Sequence, residues 1–143
     1  MDTSDEAQSA GDNGKKSANT NPKVMVVDDN EINTIILADF LTSQNMQVAS
    51  VIDGEEFLEQ VDAVNPDIII MDIQMPGIDG LEAIRQLRAW PNPRIANVPV
   101  IAVTALAMVG DREKCLSAGA NDYVSKPFNL LQLMEIVNKF FEG

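Results

Sequence analysis

The chain runs to 143 residues, 45% of them hydrophobic, and its 10 basic and 22 acidic side chains leave a formal net charge of −12. That length suits one domain around one core, and the charge disfavours nucleic acid and anionic lipid as partners while favouring divalent cations. The chain contains no histidine, which excludes a Ser-His-Asp triad, histidine metal ligands and a phosphate carried on histidine by this chain.

Cys115 is the only cysteine, so no internal disulfide can form and a reducing compartment is expected. Its expected role is that of a small buried apolar residue on a helix. No apolar stretch approaches the roughly 20 residues needed to span a bilayer. Residues 1–22 also lack the apolar core of a signal peptide, and a cytoplasmic protein is expected.

Residues 1–22 are rich in Ser, Asp, Asn, Gly and Ala and show no periodicity. They are expected to form a disordered tail, because they offer too little apolar surface to offset their ordering entropy. The domain is expected over 23–143. Residues 23–28 read as a short buried strand; Asp29 and Asn30 can cap a helix whose Ile32, Ile36, Leu37, Phe40 and Leu41 recur at helical spacing. A second strand is predicted over 46–51, a turn at Asp53 and Gly54, and a helix over 55–64 stopped by Asn65 and Pro66.

The run Ile68 to Met71 reads as a strand buried on both faces and ends on Asp72. The helix after it shows Leu81, Ile84 and Leu87 as an inner stripe to about Trp90, and Pro91, Asn92 and Pro93 break it. A fourth strand is predicted over 98–104, a helix to Ala118 with Gly119 as its C-cap, a fifth strand over 121–125 and a last helix over 130–141.

Five short strands alternating with helices imply an α/β fold, a doubly wound (βα)5 parallel sheet covered on both faces, with strand order 2-1-3-4-5 favoured. That order brings Asp28, Asp29 and Asp72 together at the carboxyl ends of strands 1 and 3, with Thr104 and Lys126 on the same rim. Taken singly, each has an ordinary structural explanation: helix caps, a turn carboxylate, a β-branched strand residue, a solvated lysine. Taken together they form one site, because four of five strands end on a polar group able to handle phosphate or metal.

Phosphoryl transfer to a carboxylate needs this set. Clustered carboxylates repel and call for a cation, and hard oxygen ligands suit Mg²⁺. Ionised Asp72 can act as the nucleophile, while Lys126 and the Thr104 hydroxyl stabilise charge on the transferring group.

From about Lys23 to Phe141 the chain resembles the receiver domains of two-component response regulators. The acidic pair is Asp28-Asp29, the acceptor in Met-Asp-Ile-Gln-Met-Pro-Gly-Ile-Asp-Gly is Asp72, the hydroxyl in Ala-Val-Thr-Ala is Thr104, and Ser-Lys-Pro-Phe supplies Lys126. The resemblance implies the flavodoxin-like topology and a Mg²⁺ site at Asp28, Asp29, Asp72 and Gln74. It also implies an aspartyl phosphate on Asp72, taken from a histidine kinase or histidine phosphotransfer protein, and a cis Lys126–Pro127 bond that aims Lys126 at the pocket.

The implied switch draws Thr104 toward the phosphoryl group, lets Tyr123 pack inward, and reshapes the face of the fourth helix, fifth strand and fifth helix for a downstream partner. Gln74 and Leu106 are expected to flank the path of water to the phosphoryl group. Residues 28–33 and 110–116 resemble hybrid-kinase receivers in particular, so a free-standing receiver and one excised from a hybrid kinase both remain open. No room for an output domain is expected after Phe141.

In the last helix Leu130, Leu133, Met134, Val137 and Phe141 form a core stripe, which Ile136 and Phe140 widen while Leu131 lies off it. A homodimer or partner surface at Ile136 and Phe140 stands beside the alternative of a broad core contact. Three other readings stand at this stage. A phosphatase of the haloacid dehalogenase type also uses Asp, Thr, Lys and Mg²⁺, but expects Asp-x-Asp where this chain has Asp28-Asp29-Asn30. A flavin-binding module lacks its phosphate cradle here. A docking module that is never phosphorylated is the third.

Overall fold

The structure, a computed structural model, describes residues 21–75, 77–105 and 110–142. Five strands, β1 (Lys23–Val27), β2 (Gln47–Val51), β3 (Ile68–Asp72), β4 (Val100–Thr104) and β5 (Asp122–Ser125), alternate with α1 (Glu31–Ser43), α2 (Gly54–Val64), α3 (Gly80–Arg88), α4 (Pro93–Ala96), α5 (Asp111–Ala118) and α6 (Leu130–Glu142). The sheet is parallel throughout and has the expected order β2-β1-β3-β4-β5.

Side chains alternate across a strand, so a sheet buried on both faces needs apolar residues at every position. β3 meets this demand with Ile68, Ile69, Ile70 and Met71, all buried. Ile69 and Met71 join Phe57, Val61, Ile84, Leu87 and Ile95 in the layer beneath α2–α5, whereas Ile68 and Ile70 join Leu37, Leu41, Leu133 and Val137 beneath α1 and α6. Cys115 is buried in the first layer, as its composition led one to expect.

Several expectations need correction. Ile32 and Ile36, predicted to face the core, are 69% and 52% exposed, and Ile35 is exposed as well. The apolar residues of α1 occupy consecutive positions 35, 36 and 37, and the narrow arc of Leu37 and Leu41 alone reaches full burial against the sheet. β4 begins at Val100 rather than 98: Pro99 has no N–H to give the ladder, although its carbonyl accepts from Ile69 N–H at 2.9 Å.

The break at Pro91–Pro93 is also more ordered than expected. Asn92 caps α4, Pro93 sits in its first turn, and Ile95 is buried in the core. The switch face predicted on the fourth and fifth helices therefore corresponds to α5, β5 and α6. In α6, Phe141 is exposed instead of lining the core, Ile136 and Phe140 are half-buried with one side against it, and Leu131, at 73%, is the helix's most exposed apolar residue.

The tail expected over 1–22 lies outside the described residues except for Asn21 and Pro22, and the Pro22 carbonyl already accepts from Gln47 N–H at 2.8 Å. Leu106 also lies outside them. Among the described residues no helix is long and apolar enough to cross a membrane.

Candidate functional site

The register of the sheet aligns the strand ends. Val27 pairs with Met71 and Asp72 with Val103, so Asp28, Asp72 and Thr104 emerge side by side at the carboxyl rim. Each carboxylate is held locally. Asp28 follows β1, anchored by its N–H on the Val51 carbonyl at 3.1 Å, and its Oδ1 accepts from Asn30 N–H at 2.8 Å. Asn30 in turn caps α1 through Asn33 N–H.

Asp72 closes β3, and its Oδ1 accepts from Gln74 N–H at 3.0 Å. Gly80 permits the return of the chain: its N–H donates to the Ile73 carbonyl, and a Cβ there would lie 2.6 Å from the Asp72 carbonyl oxygen.

Oxygens of Asp28, Asp29 and Asp72 lie within 4.8 Å of one another. Lys126 reaches the same point: its Nζ is 3.4 Å from Asp72 Oδ2 and 3.9 Å from Asp28 Oδ2. The lysine is positioned by its own N–H, which donates to the Thr104 carbonyl at 2.7 Å, and the following bond to Pro127 is cis. Thr104 is buried at the end of β4. The structure thus brings together Asp28, Asp29, Asp72, Thr104 and Lys126, the complete set expected on the rim.

Burial pushes the Asp72 carboxyl above its usual range and Asp28 adds to the rise, while the Gln74 N–H and the Lys126 ammonium oppose it. Three carboxylates facing one ammonium leave net negative charge in a partly buried site. Exposed Asp29 leaves the cluster open to solvent. Such a donor set fits a hard divalent cation that keeps water ligands.

Gln74, expected at the metal, borders the cluster through its main chain; its side-chain Oε1 accepts from Ala105 N–H at 3.2 Å. Tyr123 is half-buried and packs against the layer beneath α2–α5. Beside the rim, a cavity of about 530 Å³ opens between α1 and the start of α6, with Asp72 and Lys126 at one end and Ile36, Leu37 and Phe128 along its wall.

Two positioning roles escaped the sequence reading: Asn30, expected and found as the helix cap, also holds Asp28 through its N–H, and Gly80 holds the turn after Asp72. At the opposite rim so did Arg88, whose guanidinium donates to the carbonyls of Gly119, Ala96 and Val98 and to Asn121 Oδ1 at 2.7–2.9 Å. A signal was present: Arg88 continues the Leu81–Ile84 stripe at helical spacing, where a charge is out of place unless it is paired.

The family model described as response regulator receiver domain matches residues 24–138. The chain is 35% identical over 120 residues to the sensor protein GacS of Pseudomonas syringae pv. syringae, a match covering 83% of this chain and 13% of that protein. It is 35% identical over 117 residues to the polar-differentiation response regulator DivK of Brucella ovis, covering 82% of this chain and 94% of DivK.

The receiver domain of sensor histidine kinase PA1611 from Pseudomonas aeruginosa PAO1, solved with a magnesium ion coordinated in its active site cleft, superposes with a TM-score of 0.77 at 37% identity over 87% of this chain and 100% of that one. Fold, rim and relatives agree, and the chain belongs to the response-regulator receiver family of two-component signalling.

Proposed function

We propose that Asp72 is the phosphoacceptor of a phosphorelay. An Asp72 oxygen attacks phosphorus on a partner's phosphohistidine; the new O–P bond forms as the N–P bond breaks, and the imidazole leaves. The observation that carries this reading is the convergence of Asp72, Asp28 and Asp29 within 4.8 Å with the Lys126 ammonium 3.4 Å from Asp72. Lys126 balances charge on the transferring group, and Asp28 and Asp29 with Asp72 would hold Mg²⁺. When bound, that ion supplies electrostatic stabilisation of the phosphoryl oxygens.

The product is stoichiometric, one aspartyl phosphate per chain, so the domain acts as a signal carrier and not as a turnover enzyme. Thr104 and Tyr123 are the proposed switch residues, and α5, β5 and α6 the face that a downstream protein reads. Matches to part of GacS and to nearly all of DivK support a histidine-phosphorylated partner in either a hybrid or a free-standing setting.

Intact mass after incubation with Mg²⁺ and acetyl phosphate tests the reading. A gain of about 80 Da, one phosphoryl group replacing a proton, is expected in the native chain and not in Asp72→Asn. A gain that survives in Asp72→Asn overturns Asp72 as the acceptor.

A further inference from the structure

The ladder between β3 and β4 stops one rung early, and a side chain takes the vacant place. Ile69 and Ile73 N–H donate to the Pro99 and Val103 carbonyls. In a parallel ladder the next bond runs from Ala105 N–H to the Ile73 carbonyl. That carbonyl instead accepts from Gly80 N–H at 3.0 Å, because α3 must fold back closely over the turn after Asp72. Ala105 N–H is met by Gln74 Oε1 at 3.2 Å. The main-chain N–H of the same glutamine holds Asp72 Oδ1.

From this geometry we infer that Gln74 is a latch: it occupies the Ala105 N–H while Asp72 is unmodified and yields it when Asp72 carries a phosphoryl group. The inference rests on Asp72 being the acceptor. Ala105 lines the cavity into which Asp72 and Lys126 project, directly after Thr104. A phosphoryl group there brings terminal oxygens that need donors, and the Ala105 main-chain N–H, aimed across the β3–β4 boundary, is a fixed donor.

The exchange favours the phosphoryl group. A hydrogen bond to an anionic oxygen is roughly twice as strong as one between neutral groups, and the latch bond is longer than the usual 2.9–3.0 Å or so. Gln74 is exposed, so water takes over its released carbonyl. Gln74 is therefore a positioning residue for the β4 end and a competitor for one phosphoryl-binding donor. Its chemistry, and not merely its bulk, sets how easily the phosphorylated arrangement is reached.

The test uses beryllofluoride with Mg²⁺, which bonds a carboxylate oxygen in the geometry of a phosphoryl group, and a chain labelled with ¹⁵N-alanine. Gln74→Met removes the acceptor and should tighten beryllofluoride binding by about two- to tenfold, the net worth of one hydrogen bond. Gln74→Glu strengthens the latch and adds negative charge, and should weaken binding. Without any ligand, the Ala105 amide resonance should move upfield in Gln74→Met as its hydrogen bond is lost.

Equal affinities across native chain, Met and Glu variants, or an unmoved Ala105 amide, overturn the latch while leaving the acceptor intact. A native chain that takes up neither beryllofluoride nor phosphoryl overturns the acceptor reading and the release step with it, and the amide shift then reports the latch bond alone.

Discussion

The two rims of the sheet are built on opposite electrostatic principles. At the carboxyl rim, Asp28, Asp29 and Asp72 crowd within 4.8 Å and share Lys126, leaving like charges in excess. Opposite, Arg88 donates to four acceptors, and Asp67 takes the Lys23 N–H and the Arg94 guanidinium. Trp90 Nε1 donates to Asp62 nearby. One rim therefore closes its polar groups on each other and ties α3, α4, α5 and β5 together. The other keeps charge unbalanced at a cost in stability, which is what a site for a cation and a transferred anion requires.

Removing the ammonium should break the contrast most sharply. Lys126→Met is expected to slow phosphorylation of Asp72 by about 10²–10³-fold, the usual loss when one donor to a developing anion is deleted. The rate of mass gain from acetyl phosphate measures it, and a rate within a factor of a few of native would place the stabilising charge elsewhere.

Arg88→Met keeps the aliphatic stem but strips a charged donor from three main-chain carbonyls and Asn121. It should cost about 2–3 kcal/mol of stability in urea unfolding while Asp72 still accepts phosphoryl. An unchanged midpoint would show that the amino rim is no better satisfied than the carboxyl one.

The smallest expected effect has the opposite sign. The Asp72 carboxyl is raised by burial, so the folded chain binds its proton more tightly than the unfolded chain does. Its contribution to stability is thus fully present below the unfolded pKa and is lost as pH rises through the folded one. At neutral pH in chelator, Asp72→Asn should unfold at a higher denaturant concentration than the native chain, with a shallower fall between mildly acidic and neutral pH. A less stable Asp72→Asn would mean that the Lys126 pairing outweighs burial.

Much of the site could be read from local pattern. Asp72 follows four large apolar residues, Thr104 ends another apolar run, and Lys126 follows a short strand, so alternation of strand and helix was enough to place all of them on one rim. Resemblance to receivers then added the roles. The longest-range parts escaped because they join residues distant in sequence: Gln74 meets Ala105 across 31 residues, and Arg88 meets Asn121 across 33. No periodicity within one element reveals such partners.

The sequence alone determined the alternation of five strands with their helices, short α4 apart, together with the parallel sheet and the polar strand ends, because these follow from short-range periodicity, turn residues and the rules of βα connection. Tertiary structure decided which arc of an apolar helix faces inward. It sent Leu37 and Leu41 to the core while Ile32, Ile35 and Ile36 stayed in solvent. It also decided which hydrogen-bonding group takes a rung when two elements compete for it. The close approach of α3 to the end of β3 drew Gly80 onto Ile73 and left Ala105 to Gln74, and only the packed geometry of three segments could settle that exchange.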